Sequence, residues 1–463
     1  MKNRTDVLNW GGWKLHLVFS AIIAVIATLQ VYPFIGLADG FTRWNLALEI
    51  CSNGEIVSDT LLSPVIPYIQ AFTYKITGSY GLYTVLQAIA FYFMIGILIK
   101  NMLGDRKTFL VGKNAVSLWN LISGMVIFFP TVYVFPLLLT DSAPIFSLMA
   151  ALIVVLDGQL TVRKKALALL IVSFFSVGIR VNSLVLFGFF FLFLLFFAMI
   201  KKDKVAVVLA GVIIVGACLG AIIPSKITPG SYNASTLGMV WELTGMAANG
   251  NEEVKEELSA YGDIDEAIER YGDPYLNSIV WDNDPPFPAT VISSQYAKDI
   301  TRIYLNQFIK HPVSFIKNKF KWIKGSLGVP QYLISSTRGV HGIDELTQSR
   351  GGIESYWQSQ LRSIFFGITD KIGFFTLCPM ICGLTSGICI LVCHFLKMKV
   401  RNAGIAWLVG AAYYSSFLIN TQAFEFRYFA PTFYIWFLIM ICSLIDILNE
   451  MIRRGNHLIR RVI

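Results

Sequence analysis

Charged side chains are scarce in this chain. Asp, Glu, Lys and Arg make up 14% of its 463 residues, while 55% are hydrophobic; soluble domains carry about 25% charged residues. A water-soluble fold this apolar would expose large sticky patches, which a bilayer hides. Cysteine is sparse as well. Six of the seven cysteines lie inside apolar segments and Cys51 has no evident partner, so no disulfide framework is implied. A cleavable leader is also lacking. The first apolar run, Leu15 to Ile35, is too long for a leader's apolar core and has no small-residue cleavage site, so it reads as a true span. No internal repeat stands out, which weighs against a transporter built from inverted repeats.

The formal charge of +9 does not point to nucleic acid. The basic residues punctuate apolar runs instead of forming one stripe, so no nucleic-acid partner is expected. Cys378, Cys382, Cys389 and Cys393 fall on one helical face. Such a face could hold a metal. The preferred reading is that small, soft side chains, with Gly383 and Gly387, let a neighbouring helix approach.

A span needs about 20 mostly apolar residues. Ten candidates appear: 15–36, 80–100, 115–139, 141–157, 166–182, 183–200, 205–223, 372–396, 403–421 and 429–448. Lys and Arg in the short loops set the orientation. One set of loops carries Lys2, Arg4 and Lys14, then Lys100, Arg106, Lys107 and Lys113, then Arg163, Lys164 and Lys165. It continues with Lys201, Lys202 and Lys204, then Lys397, Lys399 and Arg401, and ends with Arg453, Arg454, Arg460 and Arg461. The alternate set has only Arg43 and Lys75, Arg180, and Arg427. The expectation is an all-α polytopic protein of the cell (plasma) membrane with about ten spans and both termini cytoplasmic. It divides into transmembrane modules at 1–223 and 372–463, with an extracytoplasmic insertion at 224–371.

Two extracytoplasmic segments are long, 37–79 and 224–371. The second holds an acidic helical stretch from Glu252 to Glu269, a break at Asp284-Pro285-Pro286-Phe287-Pro288, and a basic run from His311 to Lys324. In that run Phe315, Phe320 and Trp322 interleave with Lys317, Lys319, Lys321 and Lys324. The pattern predicts a helix lying at the lipid interface beside anionic headgroups; a solvated helix on a soluble domain is the plainer alternative. Residues 325–363 read as a long loop.

Ionisable groups at membrane ends are costly and are therefore functional candidates. Asp39, Asp141, Arg180, Glu425 and Arg427 all fall on the extracytoplasmic side of this topology. Each has a plainer explanation. Asp141 could cap a helix that has Pro144 in its first turn, Arg180 could snorkel to headgroups, Glu425 could pair only with Arg427, and Asp39 could be an ordinary loop acid. Their shared side favours a cavity for a phosphorylated, polar substrate. Sugar transfer from a lipid phosphate needs such a set. The acceptor hydroxyl needs a carboxylate base as it attacks the anomeric carbon. The phosphate that leaves needs a cation. An ion-coupled transporter, or a polysaccharide polymerase or flippase, would also need groups of this kind.

Four segments carry a family likeness. They are Asp39, followed by Asn53-Gly54-Glu55; the stretch Asp59 to Tyr68 with Gly78-Ser79; Thr140-Asp141-Ser142-Ala143-Pro144 with Arg180-Val181-Asn182; and Glu425-Phe426-Arg427-Tyr428 with Pro431. In order and side they resemble the glycosyltransferase C superfamily, nearest to bacterial relatives of the family 39 protein-mannosyltransferase type. The likeness covers about the first 200 residues and the last 60. It implies that Asp39 is the general base and that the donor is a polyprenyl-phosphate sugar. On this reading Asp141, Arg180, Asn182, Glu425, Arg427 and Tyr428 line the substrate site, and membrane lipids are the other partner. Many relatives have a second carboxylate in the first loop where Gly40 stands here, so no metal ligand is assigned and a divalent cation stays an open alternative.

Overall fold

The structure is a computed structural model. It describes residues 5–29, 38–58, 62–78, 82–103, 108–111, 114–117, 142–157, 160–180, 183–227, 234–271, 279–280, 284–327, 379–398, 400–416 and 426–462. Within them the chain is helical apart from one short ribbon, in which β1 (Thr108–Val111) pairs antiparallel with β2 (Asn114–Ser117). Val111 faces Asn114 across a two-residue connection of Gly and Lys, a length typical of tight hairpins. The ribbon takes the first residues of the span expected at 115–139; residues 118–141 lie outside the described residues.

The described residues of the other nine expected spans lie on helices. Before the ribbon come α1 (Thr5–Leu29) and α4 (Leu82–Leu103). After it come α5 (Ser142–Leu156), α6 (Val162–Ile179), α7 (Ser183–Lys201) and α8 (Lys204–Ile227). The last three are α14 (Pro379–Phe395), α15 (Arg401–Ser416) and α16 (Phe426–Val462). Among the described residues, three helical segments are long and apolar enough to cross a membrane alone: Ser183–Lys201, Lys204–Pro224 and Phe429–Ile452. Between α1 and α4 lie α2 (Ala38–Asn53) and α3 (Val65–Thr77), and α3 meets α4 at a bend of 115°. Gly78 closes α3 in the left-handed conformation, φ 63°, which glycine adopts at no steric cost.

Small residues set the closest helix approach. A Cβ on Gly216 would stand 2.1 Å from Ser173 Oγ and 2.7 Å from the Leu170 carbonyl oxygen, and one on Gly220 would stand 2.3 Å from the Phe174 carbonyl oxygen. Gly178 of α6 likewise faces Pro224 of α8. The contacts climb both helices together, so α6 and α8 run parallel, and α7, which joins them in sequence, runs back the other way. Gly216 and Gly220 are four apart, the small-xxx-small spacing of tight membrane pairs. Gly220→Val is expected to force these backbones apart at a cost of about 1–3 kcal/mol. Gly188→Val, where nothing lies within 4 Å, should leave the melting temperature in detergent unchanged. Equal melting of the two variants would refute the tight seam.

The cysteine-bearing face of α14 receives α16. A Cβ on Gly383 would sit 2.5 Å from the Trp436 ring, and Cys382, Cys389 and Cys393 are buried. Trp407 Nε1 donates to the Gly383 carbonyl at 2.9 Å, and Trp436 Nε1 donates to the Trp407 carbonyl at 3.1 Å. At the far end Arg454 donates to the Leu396 carbonyl, beside the turn that carries Lys397 and Arg401.

Residues 234–327 make a second helical unit. It comprises α9 (Ala234–Ala248), α10 (Glu252–Ser259), α11 (Ile264–Arg270), α12 (Ser294–Lys310) and α13 (Pro312–Leu327). Asn251 and Asp263 cap α10 and α11, accepting the amides of Val254 and Glu266. Acidic residues follow each cap, where the helix dipole favours them. Leu237, Val240, Leu243, Val254, Leu258, Ile264, Phe287 and Ile300 are buried. The acidic stretch is therefore two short helices that pack their apolar residues against α9 and leave Glu252, Glu256 and Asp265 exposed.

Candidate functional site

Asp39 lies in the first turn of α2, and Arg43 follows one turn later. Arg43 is 3% exposed. An arginine that deep is rare unless it is engaged, and Tyr83, in the first turn of α4, lies within electrostatic reach of it. Trp44, Ala47 and Ile50 of α2 form a small core with Ile56 and Ala71, and Trp44 meets Tyr74 edge-on at 5.3 Å. Glu49 accepts the amides of Val57 and Ser58 at 3.0 and 3.1 Å and also the Ser58 hydroxyl. These contacts fold the hairpin of α2 and α3 into one piece.

That piece rests on the end of α6. The Ser63 hydroxyl donates to the Gly178 carbonyl, two residues before Arg180. Arg180 caps α6, is half-buried, and donates its amide to Ser176. Thus the start of α3 meets the helix end with Arg180, while Asp39 and Arg43 lie at the other end of the hairpin, where Arg43 neighbours Tyr83 of α4. Arg427 and Tyr428 lie in the first turn of α16. Further along α16, Tyr434 meets Phe91 of α4 edge-on at 5.0 Å, and Phe91 also meets Phe146 of α5 at 6.2 Å. Asp141, Asn182 and Glu425 lie outside the described residues.

The second unit corrects one assignment. Lys317 is exposed on α13, and Lys321 and Lys324 also belong to that helix. Lys319 does not share Lys317's side. It is 8% exposed and pairs with Glu242 of α9, which is fully buried. Tyr304 Oη donates to the other Glu242 oxygen at 3.0 Å, and Asn318 Nδ2 donates to the Glu242 carbonyl at 3.4 Å. The Tyr271 hydroxyl donates to Asn318. Burial pushes the Lys319 ammonium below its ordinary range despite the pull of Glu242. Burial, then the charge of Glu242, raises the Tyr304 phenol. A two-residue step turns a helix by about 200°, so Lys317 and Lys319 cannot face the same way. Glu242 is the single ionisable residue of α9, and that isolation was the sequence signal for it.

A more exposed cluster closes the elbow between α12 and α13. Lys310 donates to Glu253 Oε1, and His311 Nε2 lies 3.2 Å from Glu253 Oε2. Hydrogen bonds from Lys310 first, then His311, lower the Glu253 carboxyl to about 2 from an ordinary 4.5. The folded value is the depressed one, so the contribution is complete above pH 4.5 and is lost as pH falls toward 2. Protection of the Lys310 and His311 amides, measured relative to their intrinsic exchange rates at each pH, is expected to fall across that window in wild type. Glu253→Gln should flatten the response; an unchanged profile would refute the clamp.

No family model, no curated protein and no solved structure matches the chain. Among the described residues, no three His, Cys, Asp or Glu side chains gather as metal ligands would.

Proposed function

We propose that this chain is a plasma-membrane glycosyltransferase of about ten spans with both termini cytoplasmic. It moves a sugar from a polyprenyl-phosphate donor to an extracytoplasmic acceptor, which is a cell-envelope glycan, a lipid or a protein. The observation that carries the reading is the burial of Arg43 one turn after Asp39 on α2, in a hairpin whose other end is seated on the Arg180 end of α6. On this reading an acid and guanidinium groups on one face of an apolar bundle supply the two charges that transfer requires.

In this scheme Asp39 takes the proton of the acceptor hydroxyl as its oxygen bonds to the anomeric carbon. The bond from that carbon to the phosphate oxygen breaks, and Arg180 and Arg427 hold the charge left on the lipid phosphate. Asp141 and Asn182 form the second wall, and Glu425 and Tyr428 orient Arg427 or the sugar.

The test is release of polyprenyl phosphate from a panel of polyprenyl-phosphate sugars, with the protein in nanodiscs. One donor should be consumed. Arg427→Ala should abolish donor binding, and Arg427→Lys should still weaken it, because lysine keeps the charge but lacks the planar fork that grips phosphate. Failure to turn over every donor, with folded protein, would rule the transferase out in favour of a polymerase, flippase or transporter.

A further inference from the structure

The elbow between α12 and α13 exposes apolar side chains on both arms. On α12 they are Leu305, Phe308 and Ile309, and on α13 they are Val313, Ile316 and Phe320. Ile309 is 75% exposed, Val313 64% and Phe320 65%, matching Met199 at 71% and Phe196 at 59% on the apolar helix α7. The inner faces of the same helices are committed elsewhere. Ile300, Ile303 and Gln307 are buried on α12, as are Asn318 and Lys319 on α13, and Phe308 meets Phe315 edge-on at 4.8 Å across the elbow. The exposed set therefore belongs to a fixed surface.

Two observations name what covers it. Ile227 ends α8 and Ala234 begins α9, so the chain between them spans at most about 25 Å. Because α8 is apolar enough to cross a bilayer, the second unit cannot leave the membrane surface. The charge also fits. Besides Lys319, which is paired with Glu242, α13 carries three lysines and no carboxylate, and Lys317, exposed beside Ile316, suits an anionic headgroup.

We propose that the elbow is a membrane-inserting wedge. Leu305, Ile309, Val313, Ile316 and Phe320 enter the acyl region of the leaflet facing the second unit, and Lys317 stays at the headgroups. Lysine stems reach along apolar surface while their ammonium groups stay in the polar layer. The wedge anchors the second unit at a fixed height. The inference rests on α7 and α8 crossing a bilayer, and is independent of sugar transfer.

The test places p-benzoylphenylalanine at position 309, 313, 199 or 265 of the full chain, in nanodiscs containing anionic phospholipid. Ultraviolet light is applied and the adducts are identified by mass spectrometry. Positions 309 and 313 should capture lipid as well as position 199 does, and severalfold more than position 265, where Asp265 is highly exposed on α11. Lipid capture at 199 with adducts from 309 and 313 to residues 328–378, or to a second copy, would overturn the wedge. So would capture at 309 and 313 no greater than at 265. Loss of lipid capture at 199 would instead overturn the membrane reading, and the wedge with it.

Discussion

Asp39→Asn is expected to cut sugar transfer by roughly 10²–10⁴-fold, the worth of a positioned acid–base group, while donor binding survives. The amide keeps the size of the carboxylate but cannot take the acceptor's proton. The position of Asp39 in the first turn of α2 favours the anion, because a helix N-terminus stabilises negative charge. The competing explanation is that the acid merely supports its helix. That role is worth only about 0.3–1 kcal/mol, so it predicts slightly lower stability with turnover nearly intact. Measuring melting and turnover on the same variant separates the two. Full transfer activity in folded Asp39→Asn would remove Asp39 as the base, and another external acid would have to be sought.

Much of the helical architecture was legible in the sequence because apolar runs have few alternatives. A backbone in lipid must satisfy its polar groups internally, so runs such as 183–200 and 205–223 could only become helices. Those two runs were legible nearly to their ends, as α7 and α8. The ribbon at 108–117 was not. It is short, and two-stranded pairing leaves little compositional trace.

The candidate site was legible as isolated charges and not as a constellation. Arg43 had been set aside as one of the sparse charges on the external side, yet it is among the most deeply buried cations described. Burial depends on α2 folding back on α3, and no local pattern encodes that. Lys319 failed for a geometric reason. Alternating lysines and aromatics form one stripe on a strand, whereas on a helix they are spread around the axis and one of them points inward. The apolar elbow was half visible, since the sequence reading took in α13 but not the last turns of α12, where Leu305 and Ile309 are exposed.

Glu242→Ala is expected to destabilise the second unit by about 3–5 kcal/mol, the usual cost of removing one partner from a buried ion pair. The alanine cavity is the smaller part of the effect. The larger part is Lys319, whose ammonium is already disfavoured by burial and would lose this carboxylate. Tyr304 would lose its acceptor as well. The pair need not be net stabilising, because two charges leave water to form it. The double variant Glu242→Met, Lys319→Met removes both charges at similar volume. It should therefore recover most of the loss, with Tyr304→Phe added so that no hydroxyl is stranded. Trp241 packs on Tyr271 at a tilt of 52°, with ring centroids 4.9 Å apart, inside this cluster, so its fluorescence should report the unfolding. If the single and double variants are equally destabilised, the cost lies in packing and the charge pair is incidental. If only the single variant is destabilised, the pair specifies how α13 docks on α9, and it thereby sets which face of α13 remains outside.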